Sequence, residues 1–443
     1  MHRRRLLGLT GSLLAGALAG CSAPTPRTAV ESPEPGVVAD IDDATLETLV
    51  SDTNAFSLAL YRETTDESPT ENGLVSPLSV TITLSMAYAG ARDETRSQMR
   101  EAFNYTASED SLHPAFNALQ RELNDRDDEI DSAELPENFE AEDDPVPFEL
   151  SLVNAIWGQS GFPFKEAYLD VLADHYGGGL REVDYQSDPE GARQTINGWV
   201  ADRTEDRIDE LLPEGALTTL TRLVLTNAVY FRANWQDPFE PDDTEPAPFT
   251  PLEGPVVDVP MMQKHEPVPY TEVAGAKAID LPYLGGAVSM LFVLPTAGEF
   301  EAFEDDFDMD TLSTTVDSLE RQEGLVAIPK FEFGKGLQLK PTLETLGMTA
   351  AFDPQEADFS GMADLDQSLD RLFIDEVYHD TFISVDETGT EAAAATGAVA
   401  GLTSAPKNEF EFVADRPFLI AIRDRPSGAL LFLGRVVDAG AAQ

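Results

Sequence analysis

The residues that could carry out covalent or metal chemistry are few in this chain of 443 residues. The sequence contains no Gly-x-Ser-x-Gly nucleophile elbow, no Walker loop, no His-Glu-x-x-His zinc motif and no Gly-x-Gly-x-x-Gly dinucleotide fingerprint. The histidines are scattered without the spacing of metal ligands, at His2, His113, His175, His265 and His379. The 81 acidic residues are so many that pairs of carboxylates arise by chance and indicate no acid–base catalyst. We therefore expect no enzymatic activity, no cofactor and no metal.

The segment 385–406 stands out because it contains hardly any large apolar side chain. Read with the period of two of a β-strand, one of its faces carries only small, uncharged residues: Thr390, Ala392, Ala394, Thr396, Ala398 and Ala400. Such a face could slide into a narrow slot in a packed sheet. The opposite face has one charge, on Glu391, where water could reach it. The alternatives are a flexible surface linker or an Ala-rich helix over residues 391–395, and local propensity favours the helix.

The elements that must position this segment can be placed from the apolar spacing. Helical spacing begins at Leu46, a second helix begins at Ser76 and Pro77 with Ser76 as its cap, and a third covers residues 188–212. Strand-like runs cover residues 148–157, 221–231, 287–294, 325–333, 372–385 and, in at least two pieces, 417–437. Helices first and mostly antiparallel strands later predict a single α+β domain over residues 43–443.

The N-terminus has the pattern of an export signal. Arg3, Arg4 and Arg5 precede an apolar run at residues 6–19, which is short for a membrane span and resembles a twin-arginine signal. The chain's one cysteine, Cys21, ends a lipoprotein-like box and excludes an intramolecular disulfide. A buried structural thiol is the alternative for Cys21. We expect residues 1–20 to be a signal, residues 21–42 a disordered tether, and the protein to be extracellular, anchored to the outer face of the cell membrane by lipidated Cys21.

The net charge of −52 excludes nucleic acid and anionic lipid surfaces as partners. Because the acids are spread over the chain, they predict a halophilic protein whose repulsion is screened at molar salt, and not a dedicated acidic tail. We expect the source to be archaeal. Residues 124–147 shift to Asp, Glu and Pro and are expected to form a solvated surface insertion.

The segment 385–406, together with residues 412–423 and 431–437, resembles the hinge, reactive-centre loop and C-terminal strands of the serpin family. Other strings similar to serpin segments follow in the family's order, at residues 154–157, 196–200, 223–231 with Trp235, 259–262, 281–283 and 290–295. The resemblance covers roughly residues 46–437, apart from the acidic insertion. It implies the serpin fold, with helices packed around a large mixed central sheet, further sheets and an exposed reactive-centre loop.

The resemblance also implies a mechanism and the residues that serve it. A serpin presents its loop to a serine protease, is cleaved to an acyl-enzyme, and inserts the freed loop into the central sheet, which distorts the protease before deacylation. The hinge would start at Glu387 and flex at Gly389. It would continue through Thr390, Glu391, Ala392, Ala393, Ala394, Ala395 and Thr396. Serpins have a polar cluster, called the shutter, under the central sheet where it parts to admit the loop. In this chain the shutter would consist of Ser76, Ser79, Asn197 and His379.

Family loop length places the cleaved bond between Thr403 and Ser404, with Leu402–Thr403 as the alternative. No Arg or Lys lies between Glu387 and Ala405, so an elastase-like or subtilisin-like protease is expected and a trypsin-like one is not. We expect a monomer that contacts a membrane only through its lipid anchor. Two other functions stay open: a non-inhibitory serpin that acts as a binding or chaperone-like protein, and a lipid-anchored solute-binding protein with two lobes around a cleft.

Overall fold

The computed structural model describes residues 41–130, 149–177, 180–364, 371–390 and 409–443. Within these ranges the chain forms nine α-helices and fifteen β-strands. The predicted α+β class is confirmed. In this part of the chain no helix is long and apolar enough to cross a bilayer, and no three acidic, histidine or cysteine side chains group as metal ligands would.

The first two helices begin where the sequence supplies a cap or a proline. Asp42 precedes α1 (Asp43–Asp66), and its Oδ1 accepts the N–H of Thr45 at 2.8 Å. Pro77 is the first residue of α2 (Pro77–Gly90). The other helices are α3 (Asp93–Ala102), α4 (Glu109–Ile130), α5 (Glu166–Tyr176), α6 (Pro189–Ala201), α7 (Phe300–Asp306), α8 (Met309–Asp317) and α9 (Lys340–Thr345).

Nine strands form the larger sheet. They are β1 (Gly73–Val75), β5 (Glu245–Phe249), β6 (Val257–Val273), β7 (Ala276–Pro282), β8 (Val288–Pro295), β9 (Glu320–Pro329), β13 (Phe410–Val413), β14 (Phe418–Asp424) and β15 (Leu430–Val436). Their spatial order is β1-β15-β14-β8-β7-β6-β9-β13, with β5 paired to β6. Most pairs are antiparallel, and β13 runs parallel to β9.

The remaining six strands form a second sheet, named here the central sheet. They are β2 (Glu149–Gln159), β3 (Leu180–Val183), β4 (Leu223–Asn234), β10 (Phe331–Gln338), β11 (Val377–Val385) and β12 (Gly389–Thr390), in the spatial order β10-β11-β12-β4-β2-β3. Residues 377–381 of β11 pair directly with residues 225–229 of β4, in parallel. Beyond that point the two strands separate and β12 lies between them.

Helix α2 joins the two sheets. It contacts β15 of the larger sheet and β2 and β4 of the central sheet, and almost every one of its side chains is buried. A helix that is apolar all round is stable only inside such a core. Helix α6 packs on the other face of the central sheet, where Ile196 and Val200 join a cluster with Ala228 and Tyr378.

Several predicted boundaries were wrong. The run 325–333 divides at Lys330, where the chain leaves β9 and enters β10 in the other sheet. Helix α6 ends at Ala201, well before residue 212. Helix α4 continues to Ile130, and the rest of the predicted acidic insertion, residues 131–147, lies outside the described residues, so the insertion stays a prediction. Asp42, assigned to the tether, caps α1. Ser76 precedes α2 but makes no side-chain cap, because its hydroxyl donates to Leu431 O at 2.7 Å.

Candidate functional site

The two residues of β12 start a new strand at the point where β11 and β4 separate. Thr390 pairs with Val385 of β11 and with Ala233 of β4, antiparallel to both. The Thr390 side chain is fully buried, and its hydroxyl lies 2.8 Å from the hydroxyl of Tyr283. β12 therefore lies as a two-residue strand between β11 and β4 in the central sheet.

Gly389 fits this position because no side chain could. A Cβ on Gly389 would lie 2.1 Å from the carbonyl oxygen of Ala233 and 2.7 Å from the Cα of Asn234. Its φ lies outside the left-handed region. Gly389 was predicted as a flexible point, and the structure gives a different reason for the glycine, which is the close approach of two backbones.

The turn before β12 is held by a dense set of hydrogen bonds. Asp386 Oδ1 accepts the N–H of Thr388 at 2.8 Å and the N–H of Gly389 at 3.1 Å. The backbone N–H of Trp235 donates to Thr388 O at 2.9 Å, and its indole N–H donates to Asp386 O at 3.0 Å. The Trp235 ring also stacks on Tyr283, with ring centres 4.6 Å apart. A buried aromatic pair thus supports the site where β12 enters.

Glu387 is held by two side chains from other elements, and these three residues are named here the hinge clasp. Lys330 Nζ lies 2.7 Å from Glu387 Oε2, and the hydroxyl of Thr244 donates to Oε1 at 2.8 Å. Partial burial acts to raise the pKa of the Glu387 carboxyl, but the hydrogen bonds from Lys330 and Thr244 outweigh it, so the pKa lies below its ordinary value. Lys330 and Thr244 were not predicted, since only the folded chain brings them to Glu387.

His379 of β11 lies beyond the end of β12, in the region where β11 pairs directly with β4. The N–H of Ser76 donates to His379 Nε2 at 3.1 Å, so Nε2 carries a lone pair and the proton lies on Nδ1. Nδ1 then donates to the side-chain oxygen of Asn227, its register partner on β4. Burial lowers the pKa of His379 to about 3 and outweighs the hydrogen bond to Asn227, so the imidazole is neutral at ordinary pH.

Asn227 connects His379 to the rest of a polar cluster, which consists of Ser76, Ser79, Thr83, Asn154, Asn227 and His379. The Asn227 amide nitrogen lies 2.7 Å from Ser79 Oγ, 3.0 Å from Thr83 Oγ1 and 2.6 Å from Asn154 Oδ1. The Ser79 hydroxyl in turn donates to Asn154 Oδ1 at 2.7 Å. The cluster links α2, β2, β4 and β11 at the place where β4 and β11 pair directly.

Asn197 does not belong to this cluster, contrary to the prediction. It lies on α6, where its amide donates to Leu212 O at 2.9 Å and accepts the Leu212 N–H at 2.9 Å. Asn197 therefore fastens the loop that follows α6. The prediction missed Thr83, Asn154 and Asn227. Asn154 and Asn227 each stand inside a largely apolar strand run, and that pattern could have marked them as buried polar residues.

The other predicted site residues lie outside the described residues, and the structure places none of them. They are Cys21, Glu391, Ala392, Ala393, Ala394, Ala395, Thr396, Leu402, Thr403 and Ser404.

Comparisons with known proteins agree with this geometry. Residues 51–439 match the family model described as "Serpin (serine protease inhibitor)". An uncharacterized serpin-like protein of Thermococcus kodakarensis is 37% identical to this chain, and the match covers 88% of this chain and 85% of that protein's length. The leukocyte elastase inhibitor of Bos taurus is 34% identical over 88% of this chain and 99% of its own.

Among solved structures, the native state of the thermophilic serpin tengpin superposes with a TM-score of 0.77 at 28% identity. The match covers 92% of this chain and 97% of tengpin. A sheet with a strand starting between β11 and β4, a polar cluster beneath it and a family match over most of the chain lead to one conclusion: this protein belongs to the serpin family.

Proposed function

We propose that this serpin inhibits a serine protease by being cleaved in its reactive-centre loop and inserting the freed loop into the central sheet. One observation carries the proposal. β12 already occupies the entrance between β11 and β4, antiparallel to both, while the two strands still pair directly below it. A longer strand could continue from β12 only by separating the strands at His379 and Asn227.

The register of β12 predicts where each further residue would go. Thr396 is six residues beyond Thr390, and six residues back along each neighbouring strand lie His379 on β11 and Asn227 on β4. Insertion would break the His379–Asn227 hydrogen bond and bring the Thr396 hydroxyl between the two side chains. A hydroxyl both donates and accepts, so it can serve the imidazole N–H and the amide oxygen together. Each buried polar group would keep a partner in both states.

The side chains of the segment suit the space available. Residues 392, 394, 396, 398 and 400 would share the face of Thr390, and each is Ala or Thr. A bulky or charged residue there would need space or desolvation that a packed sheet cannot supply. About a dozen new strand hydrogen bonds at about 0.5–1.5 kcal/mol each sum to the order of 10 kcal/mol. That is comparable with the roughly 5–15 kcal/mol that holds a domain folded.

The target is proposed to be an elastase-like or subtilisin-like protease. The bond offered is Thr403–Ser404, or Leu402–Thr403, and the sequence between Glu387 and Ala405 has no Lys or Arg for an acidic specificity pocket. The similarity to a protein named leukocyte elastase inhibitor supports the same class.

A panel of serine proteases, incubated with the protein in molar KCl and separated on a denaturing gel, tests the proposal. We expect a covalent complex with an elastase or a subtilisin and none with trypsin. Mass spectrometry should find a C-terminal fragment that begins at Ser404 or Thr403. Cleavage without any complex would support a non-inhibitory serpin, and a cut after Lys407 would overturn the assigned bond.

We further propose that the inhibitor acts outside the cell on a lipid anchor at Cys21. The arginines, the apolar run and the box that ends at Cys21 support this location. Expression of wild type and Cys21→Ser in a haloarchaeal host should leave the first in the membrane fraction and release the second into the medium. Equal release of both would exclude the anchor.

A further inference from the structure

Lys330 has two roles in the fold. It is the single residue between β9 of the larger sheet and β10 of the central sheet, and its N–H donates to Pro260 O at 2.9 Å. Its side chain holds Glu387 in the hinge clasp. That side chain is 35% exposed, so burial alone does not fix where the ammonium group lies. The position of the Lys330 backbone therefore contributes to how well the ammonium group reaches Glu387.

The last residues of the chain fold back onto this junction. Asn72 Oδ1 accepts the N–H groups of Val437 and Asp438, at 2.8 and 3.0 Å. The Asp438 carboxylate then accepts the N–H of Gly440 at 2.9 Å and closes a turn. Ala439 and Ala442 are both fully buried, which anchors the turn to the core.

Two hydrogen bonds join this turn to both sides of Phe331, the first residue of β10. Ala442 O accepts the N–H of Glu332 at 2.7 Å. The Gln443 amide donates to Lys330 O at 2.6 Å and to Ala439 O at 2.9 Å. Phe331 is itself buried and pairs with Val385 of β11 beside β12. The main chain that carries Lys330 is thus held from the C-terminal side.

We propose that Ala439, Ala442 and Gln443 form a C-terminal brace that positions Lys330 and so sets how firmly the hinge clasp holds β12. Gln443 is a positioning residue, since it acts on the hinge only through Lys330. The family match ends at residue 439, so Ala442 and Gln443 lie beyond it. The importance of this control rests on the proposed function, because a firmly held hinge matters to a loop that inserts.

Hydrogen exchange of the uncomplexed protein tests the brace. The N–H of Trp235 donates to Thr388 O and the N–H of Phe239 donates to Glu387 O at 2.8 Å, so these two amides report opening of the hinge. Gln443 is exposed, so Gln443→Ala should leave the fold intact. It should speed hydrogen exchange at both amides about three- to tenfold, which is the range expected for one lost hydrogen bond. Ala441→Ser, at an exposed position of the same turn, is the matched control and should exchange like wild type.

The same pair of measurements in a Glu387→Gln background separates positioning from general stability. Once the ion pair with Lys330 is gone, Gln443→Ala should add no further acceleration. An equal acceleration in both backgrounds would mean that the turn is merely structural, and it would overturn the proposal. No acceleration in either background would overturn it as well. No protease is needed, so a failure of the proposed inhibitory function would not disturb the result.

Discussion

His379 and Gly389 show how single residues control the central sheet. Both ring nitrogens of His379 are engaged, Nε2 by the N–H of Ser76 and Nδ1 by Asn227, and this arrangement requires a neutral ring. Gly389 is required for a different reason, since the carbonyl of Ala233 occupies the space of a side chain. His379 therefore constrains the protonation state between β11 and β4, and Gly389 constrains the space where β12 enters between them.

The protonation state of His379 makes stability depend on pH. Between its unfolded pKa of about 6.5 and its folded pKa of about 3, only the unfolded state binds the proton, so stability falls on acidification by up to about 1.4 kcal/mol per pH unit. Burial raises the pKa of Asp380 to about 6 and works in the opposite direction, so the effect must be read as a difference between variants. Wild type should exceed His379→Gln in unfolding free energy at pH 7, and the gap should shrink toward pH 4.

Urea unfolding at a series of pH values measures this gap. His265→Gln, at an exposed position of β6, controls for the loss of a histidine elsewhere. A gap between wild type and His379→Gln that stays constant from pH 7 to pH 4 would show that His379 is not held neutral.

A methyl group at position 389 should expel β12. The Cβ of Gly389→Ala would lie 2.1 Å from Ala233 O, a contact with backbone that cannot move aside easily. We expect at least severalfold faster amide exchange at Trp235, whose acceptor is Thr388 O, and more cleavage without complex formation. Gly334→Ala on β10 is the control, because its Cβ would meet its nearest atom at 3.6 Å. Unchanged exchange in Gly389→Ala would contradict the account of this glycine.

The proposed mechanism uses three elements, which are β11, β4 and the two-residue strand β12 between them. β11 and β4 pair directly over residues 377–381 and 225–229, and they separate only where β12 enters. In the proposed mechanism, insertion would therefore change the hydrogen-bonding partners along these strands. Ile196 and Val200 of helix α6 share an apolar cluster with Tyr378 of β11 and Ala228 of β4, so this cluster covers the pairing that the proposed insertion would open.

Replacing the hydroxyl of Thr396 tests the proposed register. Thr396→Val has the same shape but leaves His379 and Asn227 without a partner in the inserted form, at a cost of about 1–3 kcal/mol. Thr396→Ser keeps the hydroxyl and is the matched control. We expect the stabilisation gained on loop cleavage to be smaller for Thr396→Val than for Thr396→Ser and wild type. Equal gains in all three proteins would place another residue at the polar cluster.

An element could be predicted from the sequence when it depends on nearby residues, and it could not when it depends on distant partners. Helix α1 and the burial of β11 follow from apolar spacing, which is a local property. The division at Lys330 could not be read locally, because β9 and β10 are strands on both sides of it and only their partners differ. Asn197 was misplaced for the same reason: its partner is set by the loop at Leu212, and the partner of Asn227 is set by the pairing of β4 with β11.

The net charge of −52 belongs to the molecule as a whole. Repulsion among exposed carboxylates acts over about 10 Å at 0.1 M salt and about 3 Å at 1 M. Buried pairs such as Arg423–Asp280, at 2.7 Å, are screened much less than exposed charges. Added salt should therefore remove repulsion while leaving the buried pairs in place.

The melting temperature should accordingly rise between 0.1 and 2 M KCl, as a halophilic protein requires. Calorimetry in KCl, with sucrose of equal osmolality as the control, separates charge screening from solute exclusion. A melting temperature that stays level or falls in KCl would contradict the halophilic interpretation.

The most direct test of the central claim is the melting temperature before and after a single cut at the proposed Thr403–Ser404 bond. Insertion worth on the order of 10 kcal/mol should raise the melting temperature by more than about 10 °C. The same cut in Thr396→Arg should give no rise, because a charge cannot enter the sheet. If the cut wild-type protein melts no higher than the intact one, the loop does not insert, and the proposed mechanism is wrong.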